Sequence, residues 1–136
     1  MDNTTNIYGE LLISCPKDCD NAPKKNLLKE LNIAFAKKNI AFIIEHLADD
    51  VFWNIVGYKL IQGKDNIAEN LRQMKNSNVL ELQINNIITH GKSGAANGIF
   101  IFEQKKSYAF SNVYVFSGSA KNAKIKEITS YVIAVS

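Results

Sequence analysis

Four stretches in the second half of the chain alternate apolar with polar residues and are separated by only a few positions. They are VLELQINNIITH (79–90), AANGIFIFEQ (95–104), SYAFSNVYVFSG (107–118) and KIKEITSYVIAV (124–135). A period of two is the signature of strands. Links as short as GKSG and KK join antiparallel neighbours, because a parallel return needs a crossover. The second half therefore predicts an antiparallel meander. In its third strand Tyr108, Phe110, Asn112, Tyr114 and Phe116 share one face and Ala109, Ser111, Val113 and Val115 the other. Neither face is charged, which is the pattern of a strand covered on both sides. Helices cover one face, the aromatic one, which needs volume beneath them. A second copy of the chain covers the other, so a homodimer through the outer sheet face is expected.

The first half supplies the helices. DNAP (20–23) reads as a helix start, with Asp20 or Asn21 as cap and Pro23 in the first turn. Leu27, Leu28, Leu31, Ala34 and Phe35 follow at helical spacing. KKN ends this helix, with Asn39 suited to a left-handed residue. A second helix runs through IAFIIEHLA, with Ile40, Ile43, Ile44 and Leu47 inward, until Asp49 and Asp50 break it. VFWNIV reads as a strand ending at Gly57, and a loop with Tyr58 and Lys59 follows. GKDNIAENLRQMKN reads as a third helix with Ile67, Leu71 and Met74 as its apolar stripe. In the meander, Leu80, Leu82 and Ile84 are expected on one face, and Gly98 beside Asn97 marks a bulge or bend. Residues 1–20 read as a polar, partly disordered lead-in whose apolar island, IYGELLI, is suited to the domain edge. Residues 21–136 read as a single domain. Helices followed by a meander imply α+β, with three helices packed on one face of a sheet.

Composition narrows the function classes. At 136 residues the chain can bury a core without disulfides or metals. Its net charge is +3, from 16 basic and 13 acidic residues, the lysines are scattered and Arg72 is the sole arginine. No basic stripe with interleaved aromatics appears, so no nucleic-acid partner is expected. No apolar run reaches membrane-spanning length and MDNTTNIYGELLIS has no basic n-region, so neither membrane nor secretion is expected and the location is taken as cytoplasmic. Cys15 and Cys19 are spaced C-x3-C. Zinc sites need four ligands and the thioredoxin motif is one residue shorter, so these read as reduced thiols in a loop, with a facultative disulfide as the alternative.

The stretches LNIAFAKKNIAFIIEHLADDVFWNIVG and IQGKDNIAENLRQM carry a resemblance. They are similar to the nuclear transport factor 2-like superfamily, whose members include SnoaL-like polyketide cyclases and steroid delta-isomerases. The likeness spans residues 23–135. It implies a cystatin-like α+β cone: three N-terminal helices over a strongly curved antiparallel sheet, with an apolar pocket at the open end and dimers through the outer sheet face. It also implies positions for chemistry. The family's proton-moving aspartate falls at Asn54, its protonated oxyanion-binding aspartate at Asn112, and its helix tyrosine near Leu31. All three depart from the pattern. An amide is no base near neutral pH, but Asn112 can still donate a hydrogen bond.

The resulting expectation is a pocket for a small apolar or aromatic molecule with a polar handle. Asn54 and Asn112 bind the handle, and Trp53, Tyr58, Phe110 and Tyr114 supply the walls, with no metal and no cofactor. Two alternatives stay open. One is a cyclase, isomerase or hydrolase using another base, such as His90. His46 reads as a helix-end residue, Glu103 and Glu127 as solvated ion-pair partners, and Asp49 and Asp50 as turn residues. The other is a protein–protein module whose pocket is packed core.

Overall fold

In the computed structural model the described residues are 3–8, of which only the backbone course is given, 11–74 and 78–135. Gly9 and Glu10 of IYGELLI, Lys75 and Asn76 of the expected third helix, and Ser136 lie outside them. The elements in chain order are β1 (Asn3–Tyr8), β2 (Leu11–Pro16), α1 (Pro23–Lys37), α2 (Ile40–Glu45), β3 (Leu47–Ile55), β4 (Lys59–Gln62), α3 (Lys64–Gln73), β5 (Val79–His90), β6 (Ser93–Phe102), β7 (Ser107–Phe116) and β8 (Ile125–Val135).

The chain is α+β, with three helices on a curled sheet of order β1-β2-β5-β6-β7-β8-β3-β4. The meander β5-β6-β7-β8 is antiparallel throughout. The sheet as a whole is mixed, which corrects the purely antiparallel expectation. β2 runs parallel to β5, and β3 runs parallel to β8. Helical crossovers between these partners make the parallel pairings possible. The helices precede the meander, yet β1 and β2 come before α1, and β3 and β4 separate α2 from α3. Residues 1–20, read as a partly disordered lead-in, thus hold a hairpin that extends the sheet beyond β5. Its inward residues Leu11, Ile13 and Cys15 are buried.

Local chemistry explains the helix ends, and here too the sequence reading needs correcting. The cap position of α1 is Ala22, with no side-chain cap bond, and Pro23 fills the first turn. Asp20 does not cap; it pairs with Lys29 at 3.2 Å. The left-handed residue after α1 is Lys38 (φ 60°), not Asn39. Its backbone N–H and that of Asn39 satisfy the terminal carbonyls of Phe35 and Ala34, closing the helix. Asn39 instead caps α2, its side-chain oxygen accepting from Phe42 N at 3.2 Å. Asp49 and Asp50 lie inside β3, whose first residue is Leu47. In the first turn of α1, Lys24 reaches across to the sheet side of the molecule. Its buried Nζ donates to Gly91 O at 2.6 Å and Gly118 O at 3.1 Å and sits 4.7 Å from the centre of the Phe116 ring.

The core lies between helices and sheet. Leu28 and Leu31 of α1, Ile43 of α2 and Ile67 of α3 are fully buried against Leu82, Ile84, Tyr114, Phe116 and Ile128 of the sheet. The aromatic face of β7 is the covered one, as expected, while Val113 on its other face is exposed. Leu80 is exposed rather than sharing a face with Leu82 and Ile84, because β5 shifts register between Val79 and Glu81. A second shift, between Ile84 and Asn86, lies opposite Gly98, at the bulge that glycine signals. Among the described residues no helix is long and apolar enough to cross a membrane.

Candidate functional site

Beneath the helices a cavity of about 610 Å³ remains unfilled. It forms where three helices meet a sheet whose inward side chains include several aromatic rings, packed at tilted angles. Phe35 of α1 tilts against Trp53 of β3 at 5.4 Å between ring centres, and Phe100 of β6 lies 4.6 Å from Phe110 of β7. Isoleucines and Leu71 complete most of the wall. Both the volume and the apolar lining suit a drug-sized organic molecule.

Strand alternation decides which sequence candidates reach the cavity. On β3, Trp53 and Ile55 point inward and line it. Asn54, between them, pairs with Thr129 of β8 and Leu60 of β4 and faces the outer side of the sheet. It lines no part of the cavity, which corrects its assignment as a handle-binding residue. Adjacent strand residues point to opposite faces, so Trp53 and Asn54 cannot both serve one site. The other five candidates converge. Phe110, Asn112 and Tyr114 occupy the inward face of β7, Trp53 that of β3, and Tyr58 stands 75% exposed beside Gly57 at the cavity's opening. Gly57 turns the chain there with φ +79°.

A polar cluster interrupts the apolar wall. The Tyr114 hydroxyl, 1% exposed as a residue, accepts hydrogen bonds from Asn32 Nδ2 and Asn112 Nδ2, each at 3.2 Å. The second amide hydrogen of Asn32 goes to Leu28 O at 2.8 Å, one turn back in α1. Beside them Trp53 Nε1 donates to Ser130 Oγ at 2.8 Å. Asn112 and Ser130 are direct cross-strand partners, so the two clusters are neighbours. Asn32 and Ser130 escaped the sequence reading. Asn32 sits one residue past Leu31, on a face that the apolar spacing assigned to core. Ser130 alternates in phase with Ile128, a signal that was there to read.

The electrostatics favour hydrogen bonding over proton abstraction. Burial pushes the Tyr114 hydroxyl up to about 12, against the milder opposing effect of the two amide hydrogen bonds. It stays neutral at physiological pH. Among the described residues no Asp, Glu, His or Cys lines the cavity, and Lys38 is the one charged side chain that does. His90 is exposed at the end of β5. His46 follows α2 and bonds Phe42 O through Nδ1 at 2.9 Å, a helix-end role. Glu103 accepts from Asn78 Nδ2 at 2.7 Å rather than from a lysine, and Asp49 pairs with Lys64 at 3.3 Å. No cluster of three metal-ligating side chains occurs among the described residues.

Cys15 and Cys19 lie elsewhere, beneath the β2–α1 connection. Both are free and buried. Cys15 is on a strand, not in a loop. Burial, then the hydrogen bond with Cys15, raises the Cys19 thiol to about 12.

No protein-family model and no curated protein matches this sequence. Solved structures do match. An NTF2-like protein of unknown function from Burkholderia xenovorans superposes with a TM-score of 0.68 at 14% identity, covering 85% of each chain. One from Cytophaga hutchinsonii gives 0.60 at 21% identity over 79% of this chain and 97% of that one. An LEH-like epoxide hydrolase of M. tuberculosis gives 0.65 at 18% identity over 79% of this chain and 76% of its own. The three helices on a curled mixed sheet, and these superpositions, give this chain the nuclear transport factor 2-like (NTF2-like) fold.

Proposed function

We propose that this chain is a small-molecule pocket protein for an apolar or aromatic ligand with one polar handle. The observation that carries the reading is a hydrogen-bonding cluster, Asn32–Tyr114–Asn112, inside an otherwise apolar cavity of ligand size. A cavity serving only as imperfect core gains nothing from polar groups that must be desolvated. Trp53, Phe110 and, at the opening, Tyr58 supply apolar contact, while Asn112 and Tyr114 hold the handle. The walls favour binding over acid–base turnover, since an amide and a neutral phenol near pH 7 are poor bases. Similarity to an epoxide hydrolase is a likeness of fold and carries no assignment of activity.

We also propose that two copies associate through the outer sheet face. Ile88, Ala95, Val113 and Thr129 form one cross-strand row there, and Tyr131, Ile133 and Val135 continue the surface along β8. Five of these seven are exposed large hydrophobic side chains in the single chain. Two buried free thiols fit a cytoplasmic setting.

Native mass spectrometry of gently purified protein tests the pocket reading. The expected result is a reproducible small-molecule mass that is released on denaturation and lost when Ala36→Trp fills the cavity. A bare protein whose Tm is also unmoved by a panel of aromatic ketones would sink it.

A further inference from the structure

Cys15 and Cys19 line no part of the cavity, yet the fold brings them together. Cys15 is an inward residue near the end of β2. After Pro16 the chain turns back on itself, with Cys19 N donating to Pro16 O at 3.1 Å. The turn carries Cys19 over Cys15, and a hydrogen bond joins the two sulfurs. That bond raises the Cys19 thiol, which identifies Cys19 as the donor and Cys15 Sγ as the acceptor. The residues are 3% and 1% exposed, while Lys17, Asp18 and Asp20 of the same turn are exposed. The pair thus lies one short turn below the surface.

A buried charge faces this pair. The side chain of Lys29, in α1, is 10% exposed, and its ammonium lies 3.2 Å from Asp20 Oδ2. Burial pulls Lys29 down, but the Asp20 hydrogen bond and the two sulfurs outweigh it, so Lys29 is raised overall and keeps its charge. The same ammonium acts on Cys19 against the effect of burial. Cysteines that serve only as small apolar filler gain nothing from a desolvated cation beside them. A sulfur that accepts an S–H bond next to an ammonium is one prepared to carry negative charge, the form in which a thiol attacks.

We infer that Cys15 and Cys19 form a dithiol site that hydrogen peroxide oxidises to an internal disulfide, with Cys15 as the attacking sulfur, Cys19 as the resolving one and Lys29 as a positioning charge. In the first step the Cys15 sulfur, its proton released, attacks one peroxide oxygen. The O–O bond breaks, the departing hydroxide takes up that proton as water, and Cys15 becomes a sulfenic acid. In the second step the Cys19 sulfur attacks Cys15 Sγ. The S–S bond forms, the S–O bond breaks, and the hydroxyl leaves as water with the Cys19 proton. Two thiols lose two electrons and two protons, and one peroxide becomes two waters. The new bond spans only the turn between β2 and α1, so neither element has to move away from its neighbours. Burial under that turn favours an oxidant as small as peroxide over a bulky disulfide.

The test exposes the reduced whole protein to hydrogen peroxide and follows intact mass and free thiols. The expected product is a single chain about 2 Da lighter, restored by dithiothreitol. Cys19→Ser should stop at the Cys15 sulfenic acid, about 16 Da heavier and trapped by dimedone. Lys29→Met should slow thiol loss about threefold or more, and Asp20→Asn, which leaves the ammonium to the sulfurs alone, should quicken it. The opposite signs matter because mere loosening of the turn quickens both. Thiols that survive peroxide in the folded chain but not in urea overturn the inference, as do covalently linked copies in place of the internal disulfide. Rates that move in one direction in both charge variants overturn the role given to Lys29.

Discussion

Two buried groups give the molecule a directional response to alkali. The Tyr114 hydroxyl is raised from 10.0 to about 12 and the Cys19 thiol from 9.0 to about 12, both chiefly by burial. In the unfolded chain each ionises near its ordinary value, while in the folded chain each keeps its proton. Between about pH 9 and 12 the unfolded state therefore binds fewer protons than the native one. Stability that is fully present below pH 9 falls as pH rises through this window. Urea midpoints measured from pH 8 to 11 should decline, and the decline should be shallower in Tyr114→Phe; a midpoint that rises over this range would contradict the assignment. Residue-scale reading of the sequence succeeded where alternation was applied strictly. Tyr114, Phe110 and Asn112 were placed together on the covered face of β7, and the structure has them there. It failed at Asn54, chosen by distance from Gly57 while its neighbour Trp53 was also taken as a pocket residue. The period of two forbids that pair.

At the scale of elements, the β5–β6 pairing depends on one missing side chain. Gly98 faces the register shift between Ile84 and Asn86, and a Cβ there would overlap the backbone carbonyl of Gln83. Backbone cannot yield as a side-chain tip can. Gly98→Ala should cost several kcal/mol, on the scale of the larger single-substitution effects, and a chemical melt with an unchanged midpoint would show that the bulge relaxes freely. Gly94 is a softer case, since its nearest obstacle is the Cδ1 methyl of Leu28. The long elements were legible because helical and strand periods repeat enough to be recognised, as in α1 and the meander. The short ones were not. β4 has four residues between Gly57 and Gly63 and reads as loop, and the β1–β2 hairpin owes its place to parallel pairing with β5, a contact about 70 residues away in the chain. Long-range pairing overrides local preference, and no window of sequence records it. Lys38 shows the same limit: Asn39 is the better left-handed residue by propensity, but α2 uses it as a cap.

For the whole molecule, the proposed association runs through the outer sheet face, where large apolar side chains are exposed in the single chain. Ile133 pairs with Ala109 and points away from the cavity, 64% exposed in the single chain. Light scattering after size exclusion should find a dimer, and Ile133→Lys should convert it to a monomer whose Tm still responds to the same panel of aromatic ketones. A wild-type monomer at micromolar concentration would remove the dimer from the account. The sheet order has another consequence, for how the protein is made. β8 lies between β7 and β3, so β3 and β4 join the sheet only through a strand that begins 70 residues after β3 ends. On a ribosome adding about 5–20 residues per second, that is a wait of roughly 4–14 seconds. During it, the inward face of β3, Trp53 included, has no sheet partner on the β8 side. The nascent chain thus carries one edge of β3 without its strand partner until β8 emerges, and that interval is when a chaperone has most to offer it.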